Sequence, residues 1–290
     1  FGPSQRRSAR ERRGFVSRLC FQRGDNSDHS MRGRHGMFTE RTPLTEEGTA
    51  SDELYGIEDT AIRHGFVRKV FSILLVQLVT TVLVGGVVMK MALPISKANP
   101  ALTMALMMGS MVIAIACMCI FACCPQTMRE SPTNYILLGA FTLAEAVLVG
   151  FISASYTQAS VLIVLATTCI VVMGLILFAC QTTYDITGFL PYVLVACLAL
   201  FGFGMILTLS VFFGALTTSS PVFQTMHLVY SICGVLVFSC FIVLDTQLIV
   251  GGKHSKYRFG VDDYCMAAIN LYMDIVQLFL YLLQLLGERR

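Results

Sequence analysis

Seven apolar stretches, each long enough to cross a lipid bilayer, dominate the sequence after its first 62 residues. A helix rises 1.5 Å per residue, so the roughly 30 Å hydrocarbon core of a membrane requires about 20 apolar residues. The connections between the stretches are short. We therefore predict an all-α fold, a polytopic membrane protein built as a bundle of seven transmembrane helices. The stretches lie at 68–92, 101–124, 134–156, 159–181, 189–214, 222–250 and 264–287.

The segment before these stretches, residues 1–62, is polar. It is rich first in arginine and then in acidic residues, with almost no apolar runs. Such a segment buries too little apolar surface to fold alone. We expect a disordered tail over residues 1–62 and a membrane domain over residues 63–290. The chain is 55% hydrophobic with a formal net charge of only +3. The distribution of its basic residues therefore indicates its orientation in the membrane and gives no indication of nucleic-acid binding.

The basic residues between the stretches predict the orientation of the bundle. Membrane proteins carry an excess of lysine and arginine in their cytosolic loops. This rule is best satisfied with the N-terminus in the cytosol. The arginines after the last span argue against this orientation for that span. That orientation places Arg63, Arg68, Lys69, Arg129, Lys253, Lys256 and Arg258 inside, and Lys90, Lys97, Arg289 and Arg290 outside.

The last apolar stretch, 264–287, carries a carboxylate near its middle. Its polar residues follow one another at steps of four and three, so they share one stripe of the helix; they are Asn270, Asp274, Gln277, Tyr281 and Gln284. A carboxylate facing lipid costs several kcal/mol. The stripe must therefore face protein or water, and we predict that this helix is packed inside the bundle.

Two further carboxylates lie within apolar stretches, Glu145 in the third and Asp245 in the sixth. With the N-terminus inside, Glu145, Asp245 and Asp274 all lie about 9 to 15 Å from the cytosolic face, so they could meet at similar depth. If the two aspartates touch, two negative charges cannot both persist in a dry interior, and the pair shares a proton or binds a cation. Ca²⁺ prefers such oxygens. We predict that Asp245 and Asp274 form a proton sensor and Ca²⁺ site, with Ca²⁺ as the transported ion and no cofactor.

Five polar residues are weaker candidates for a pore or a gate. Asn270 and Gln277 share the polar stripe of the last span. Glu145 is either part of the ion path or a structural hydrogen bonder. His227 lies five helical turns before the aspartate of the sixth span, about 27 Å away on the same side, and either marks the outer end of a pathway or packs in the core. Asp185 is typical of a cap or turn, and a cytosolic gate is the alternative.

Four segments carry a resemblance to a known family. They are FVRKVFSILLVQLVTTVLV in the first span, QTTYDITG after the fourth, FIVLDTQLIVGG in the sixth and AAINLYMDIVQLFLYLLQLLG in the seventh. Over residues 66–287 the chain resembles the Lifeguard branch of the Bax-inhibitor-motif (TMBIM) family. The resemblance implies a seven-helix bundle with the last helix near its centre, a pH-sensitive Ca²⁺ leak and suppression of cell death. It also implies that Asp245 and Asp274 are the sensing pair.

The chain departs from the family's pattern in its second span. Bacterial relatives carry an arginine on that helix which latches the acidic pair, and residues 101–124 contain none. Glu145, Asp185 or Lys253 are the alternatives for that role. The resemblance further implies an intracellular membrane, the endoplasmic reticulum or the Golgi, with the plasma membrane as the alternative. Expected partners are Ca²⁺, the lipid bilayer and cell-death regulatory proteins.

Three other functional classes are alternatives to the leak. An intramembrane aspartyl protease also uses two aspartates on consecutive spans, but the YD, GxGD and PAL motifs of such proteases do not surround these two. A seven-span receptor would need its N-terminus outside, against the distribution of basic residues. The third alternative, a non-conducting protein that regulates cell death through its partners, is not excluded by the sequence. Deletion of the tail would distinguish such a protein from a leak.

Overall fold

The computed structural model describes residues 47–182, 184–251, 259–260 and 262–290, with side chains from Ala61 onward, Pro125 excepted. Seven α-helices account for most of this part of the chain. Short 3-10 turns at Pro125–Met128 and Thr187–Phe189 precede α3 and α5. The helices are α1 (Glu47–Ala98), α2 (Pro100–Cys123), α3 (Thr133–Ser153), α4 (Gln158–Gln181), α5 (Leu190–Phe212), α6 (Pro221–Val250) and α7 (Tyr264–Leu286).

Local sequence signals set the start of several helices. Asn99 and Ser220 precede Pro100 and Pro221, and their side-chain oxygens accept hydrogen bonds from backbone N–H groups in the first turns of α2 and α6. Thr157 caps α4 in the same way. Such caps satisfy N–H groups that have no partner within the helix, and a proline at the first position removes one of them. The helix starts are therefore readable from the sequence.

The prediction of an all-α fold with seven spans is confirmed. All seven helices are long and apolar enough to cross a membrane, and six agree with the predicted stretches to within three residues at each end. The first span is longer than predicted, Ala61–Ala98 instead of 68–92, because the helix continues through polar residues at both ends. Most of the predicted tail, 1–46, lies outside the described residues, and α1 already begins at Glu47.

The last helix is the most enclosed of the seven. In its most apolar stretch 67% of the residues are buried, compared with 11% to 50% in the other six spans. It packs against α3, α4 and α6, and Leu271, Tyr272, Leu278 and Leu283 are fully buried along it. A helix enclosed in this way can carry polar groups that lipid would not tolerate. The expected central position of the last span is confirmed.

Contacts between helix ends define two faces of the bundle. At the N-terminal face, where α1 enters, the Arg129 guanidinium forms an ion pair of 2.7 Å with Asp263. The hydrogen bond that Arg129 donates to the Asp263 carboxylate raises the pKa of Arg129. At the C-terminal face, where the chain ends, Tyr156 forms an antiparallel bridge with Arg289. These contacts tie the loop before α3 to the start of α7, and the loop after α3 to the end of α7.

Candidate functional site

The two aspartates predicted to meet do meet. Asp245 of α6 and Asp274 of α7 are joined by a hydrogen bond between their carboxyl groups. They are 6% and 8% exposed, respectively. Two carboxylates can only accept hydrogen bonds, so the contact requires a proton on one of them. A pair that holds one proton can therefore stay hydrogen-bonded in this buried seam, whereas a fully ionised pair cannot.

Tight packing between α6 and α7 brings the pair together. Ile242, Leu244 and Ile249 are fully buried on α6, as are Leu271 and Leu278 on α7. Helical periodicity places the polar stripe of α7 against α6. Asn270 and Gln277 are half-buried on this stripe, one turn to either side of Asp274.

A clamped turn lies beside α6 between the level of Asp245 and the N-terminal face. The side chain of Gln247 accepts a hydrogen bond from the backbone N–H of Ile186 at 2.9 Å and donates one to the carbonyl of Tyr184, also at 2.9 Å. Within the turn, the carboxylate of Asp185 accepts hydrogen bonds from the N–H and the hydroxyl of Thr187. The Asp185 side chain therefore bonds within the α4–α5 turn, between the two residues, Tyr184 and Ile186, whose backbone groups bond to Gln247.

Arg63 of α1 holds the end of α6 that follows the pair. Its guanidinium donates hydrogen bonds to the carbonyls of Leu248 at 2.7 Å, Val250 at 3.1 Å and Phe259 at 2.8 Å. Carbonyls at a helix C-terminus have no partner within the helix and carry partial negative charge, so a cation is favoured there. Gly251 ends α6 at a φ of +59°, where a Cβ would stand 2.8 Å from the guanidinium. The first span thereby fixes the last turn of the sixth.

A pair of tyrosines closes the seam on the other side of the acids. The hydroxyl groups of Tyr230 on α6 and Tyr281 on α7 are 2.9 Å apart and hydrogen-bonded. Tyr281 lies seven residues beyond Asp274, about 10 Å along the helix. Its ring occupies the space that a Cβ at Gly234 would need. Cys197 of α5 is close enough to interact electrostatically with both Asp274 and Tyr281.

Beyond the tyrosines a cavity of about 930 Å³ opens at the C-terminal face. It is lined by residues of α2, α3, α5, α6, α7 and the last residues of the chain, among them His227, Tyr230, Gln284 and Arg289. The His227 ring packs 5.8 Å from that of Phe223 and 6.4 Å from that of Tyr230. His227 therefore both packs against aromatic rings and faces this cavity, at the end of α6 remote from Asp245.

Glu145 lies on the opposite side of α7 from the aspartate pair. It is half-buried on α3 and close enough to interact electrostatically with Tyr272. Tyr272 and Asp274 are two residues apart, which is about 200° around a helix. The hydroxyl of Tyr272 is hydrogen-bonded to that of Thr81 at 2.8 Å. The structure thus joins the two aspartates and places the third acid in a separate polar cluster.

That second cluster, formed by Gln77 and Thr81 of α1, Thr142 and Glu145 of α3 and Tyr272 of α7, ties three helices together. The amide of Gln77 donates a hydrogen bond of 3.1 Å to the Thr142 hydroxyl. The carbonyl oxygen of Gln77 is buried without a hydrogen-bond partner in the described part of the chain.

Sequence reasoning missed three residues around the pair, Arg63, Gln247 and Tyr230. Gln247 had a readable signal, because an amide within an apolar stretch needs a partner just as a carboxylate does. Arg63 and Tyr230 had none, since their partners lie 185 residues away or more for Arg63 and 51 residues away for Tyr230. Lys253, an alternative for the latch role, lies outside the described residues.

The donor set at the pair is small. Among the residues described by the structure, no group of three or more histidine, cysteine, aspartate or glutamate side chains is placed to hold a metal ion. Structural Ca²⁺ sites use six to eight oxygens. Two carboxylates alone are therefore better suited to transient binding of a cation in transit than to a permanent structural Ca²⁺ site.

Comparison with known proteins agrees with this architecture. Residues 63–290 match the family described as Inhibitor of apoptosis-promoting Bax1 (Bax1-I). The chain is 33% identical over 236 residues to Protein lifeguard 3 of Homo sapiens, covering 80% of this chain and 71% of the relative. It is also 33% identical over 234 residues to Protein LIFEGUARD 3 of Arabidopsis thaliana, covering 79% and 86%. The resemblance drawn from the four sequence motifs is confirmed, and the chain belongs to the Bax1-I (TMBIM) family of multi-pass membrane proteins.

Proposed function

We propose that this protein is a pH-sensitive Ca²⁺ leak channel of an intracellular membrane, the endoplasmic reticulum or the Golgi, and that it acts against cell death. The observation that carries the proposal is the hydrogen bond between the buried carboxyl groups of Asp245 and Asp274. The family's description as an inhibitor of apoptosis-promoting Bax1 supports the role in cell death. The pair is the proton sensor and the site at which Ca²⁺ binds in transit.

Proton and Ca²⁺ compete for the same oxygens at this pair. With one proton, the pair carries a single negative charge and ties α6 to α7. When the proton leaves, two carboxylates repel one another strongly, because the surrounding dielectric constant is low. A divalent cation relieves that repulsion and favours carboxylate and amide oxygens. The amides of Asn270 and Gln277, one turn to either side of Asp274 on the same stripe of α7, offer additional oxygen donors.

The route through the bundle follows the seam between α6 and α7. From the C-terminal face it leads from the cavity beside His227 to the hydrogen-bonded Tyr230 and Tyr281 and then to the aspartates. On the N-terminal side it meets the turn that Gln247 holds. Ca²⁺ passes only when the tyrosine pair and this turn separate, so each of the two is a gate.

The proposal is tested by reconstituting the purified protein into Ca²⁺-loaded liposomes and measuring efflux between pH 6 and pH 8. The native protein should release Ca²⁺ at a rate that depends on pH. Asp274→Asn should remove that dependence, since an asparagine amide can donate a hydrogen bond to Asp245 without a titrating proton. Glu130→Gln, an exposed carboxyl in the loop before α3, is the matched control and should behave as the native protein. Efflux that keeps its pH dependence in Asp274→Asn and Asp245→Asn contradicts the proposal.

The role in cell death is tested separately. Cells lacking the protein are complemented with the native chain, with Asp274→Asn, or with a chain from which residues 1–46 are deleted. We expect the native chain and the deletion to protect against a death stimulus and Asp274→Asn to protect less. Protection that is lost with the deletion, while the Ca²⁺ content of the store is unchanged, would favour a protein that acts through partners without conducting.

A further inference from the structure

A second cavity, the α1–α4 groove, lies on the side of α7 remote from the aspartate pair. Its volume is about 630 Å³. Leu75 and Val82 of α1 and Leu162 of α4 line its walls, and Ile275 and Phe279 of α7 form its floor. The groove belongs neither to the acid pair nor to the cavity beside His227.

The groove is open to the bilayer. Leu75 and Leu162 are 62% and 66% exposed at its rim. A Cβ added at Gly86, inside the groove, would meet no atom within 4 Å. Water does not stably fill an apolar space of this kind. In a membrane the groove is therefore filled by hydrocarbon.

One end of the groove is polar. Lys90 of α1, Ser153 at the end of α3 and Gln158 at the start of α4 line it together. Because α3 ends and α4 begins there, this end lies at the C-terminal face of the bundle, where lipid headgroups are. Lys90 is exposed and forms no ion pair with a residue that the structure describes. The polar end thus presents one uncompensated positive charge beside two groups able to donate hydrogen bonds.

The dimensions suit one lipid chain. From Leu75 to Lys90 the groove follows fifteen residues of α1, about 22 Å along the helix. One leaflet contributes about 15 Å to the hydrocarbon core of a bilayer. An acyl chain lying between α1 and α4 therefore fits within the groove while its headgroup stays level with Lys90.

We propose that the α1–α4 groove is a binding site for one anionic phospholipid. The acyl chain lies on Ile275 and Phe279, and the headgroup phosphate contacts the Lys90 ammonium, with Ser153 and Gln158 as hydrogen-bond donors. A zwitterionic phospholipid fits the same space, but its own cation offsets the attraction of Lys90. A single lysine near a membrane surface favours an anionic lipid by about fivefold.

The chain offers a direct optical test because it contains no tryptophan. Leu162→Trp places a single fluorophore in the groove, and Ile170→Trp places one at a lipid-exposed position of the same helix that does not line the groove. Each variant is reconstituted in phosphatidylcholine with increasing fractions of brominated phosphatidylglycerol, whose chains quench tryptophan. We expect a preference for phosphatidylglycerol of about fivefold at Leu162→Trp, and none at Ile170→Trp.

Two further variants separate a bound lipid from general contact with the bilayer. Lys90→Gln on the Leu162→Trp background should abolish the preference for the anionic lipid. Gly86→Leu should reduce quenching at Leu162→Trp by filling the groove, whereas Gly139→Leu, at an open position on α3 outside the groove, should not. Equal preference at both tryptophans overturns the proposal. So does a brominated fatty acid that displaces phosphatidylglycerol from the groove.

Discussion

The two sides of α7 carry different polar chemistry within two residues of each other. On the side facing α6, Asp274 shares a hydrogen bond with Asp245, and that bond exists only while a proton is present. On the side facing α1 and α3, Tyr272 and Thr81 form a hydroxyl pair, while Gln77 bonds Thr142. The groups of these two bonds are neutral at any physiological pH, and the carboxyl of Glu145, which belongs to the same cluster, takes part in neither bond. The two neutral bonds can therefore hold the bundle together under conditions in which the aspartate pair changes its charge.

This difference explains how one buried helix can serve both as a scaffold and as a sensor. A neutral hydrogen bond contributes about 1 kcal/mol and does not respond to pH. A carboxyl pair in a low-dielectric seam responds strongly to pH, because its unprotonated form is costly. Two of the following variants change a side of α7 itself, and two change the contacts that hold α6.

The largest effect is expected from Gly234→Leu, beside the tyrosine pair. The Tyr281 ring occupies the space that any side chain at position 234 needs, so α6 and α7 must move apart. Overpacking of this kind costs about 3 kcal/mol. SDS-titrated unfolding of the purified protein should show that loss, and the same change at Gly139, where no atom lies within 4 Å, should leave stability near that of the native protein. Equal stability of the two variants would mean that the seam is not closed at Tyr281.

Next in size is Tyr272→Phe, on the neutral side of α7. It removes a fully buried hydroxyl and its hydrogen bond to Thr81, whose hydroxyl keeps only the bond that it donates to the carbonyl of Gln77. The loss should cost about 2 kcal/mol. The pH dependence of Ca²⁺ efflux should be unchanged, because Tyr272 faces away from the aspartates. A flattened pH profile in this variant would show that the two sides of α7 do not act separately.

Arg63→Lys should have a smaller effect on stability. A lysine ammonium cannot reproduce the fork that contacts two carbonyls at the end of α6 and that of Phe259, and we expect a loss of about 1.5 kcal/mol. Arg68→Lys, at an exposed position five residues further along the helix, should change the free energy of unfolding by less than about 0.5 kcal/mol. If the two variants unfold alike, the Arg63 contacts do not stabilise α6.

The smallest effect on stability, and the largest on pH response, is expected from Asp274→Asn. Asparagine keeps the shape of the side chain and can donate a hydrogen bond to Asp245. Equilibrium Ca²⁺ binding to the native protein should weaken as the pH falls from 8 to 6, because protons compete for the same oxygens. In the variant, binding should be weak at every pH. Binding that stays as strong and as pH-dependent as in the native protein would place the Ca²⁺ site elsewhere.

The sequence predicted the spans and the acid pair because both depend on distances along a helix. Hydropathy and length fix where a span lies, and the rise per residue fixes the depth of Asp245 and Asp274. Rotation of one helix against its neighbours depends on side-chain packing, which the sequence does not display. For this reason the sequence predicted the depth of Glu145 but not that it lies on the Tyr272 side of α7. The contact between Tyr230 and Tyr281 was likewise not predicted.

The α1–α4 groove was equally invisible in the sequence. Gly86, which leaves its interior open, looks the same in the sequence as Gly85, whose Cβ would stand 3.2 Å from the carbonyl of Ala146. Gly85 faces the contact with α3, whereas Gly86 faces open space. Only the packing of α1 against α3 distinguishes them.

The central claim is that Asp245 and Asp274 exchange a shared proton for Ca²⁺. It is tested most directly by adding Ca²⁺ to the purified protein in weakly buffered solution at pH 7 and measuring the protons released. We predict release of about one proton per bound Ca²⁺ in the native protein and no release in Asp274→Asn. Ca²⁺ that binds the native protein without releasing a proton would contradict the account.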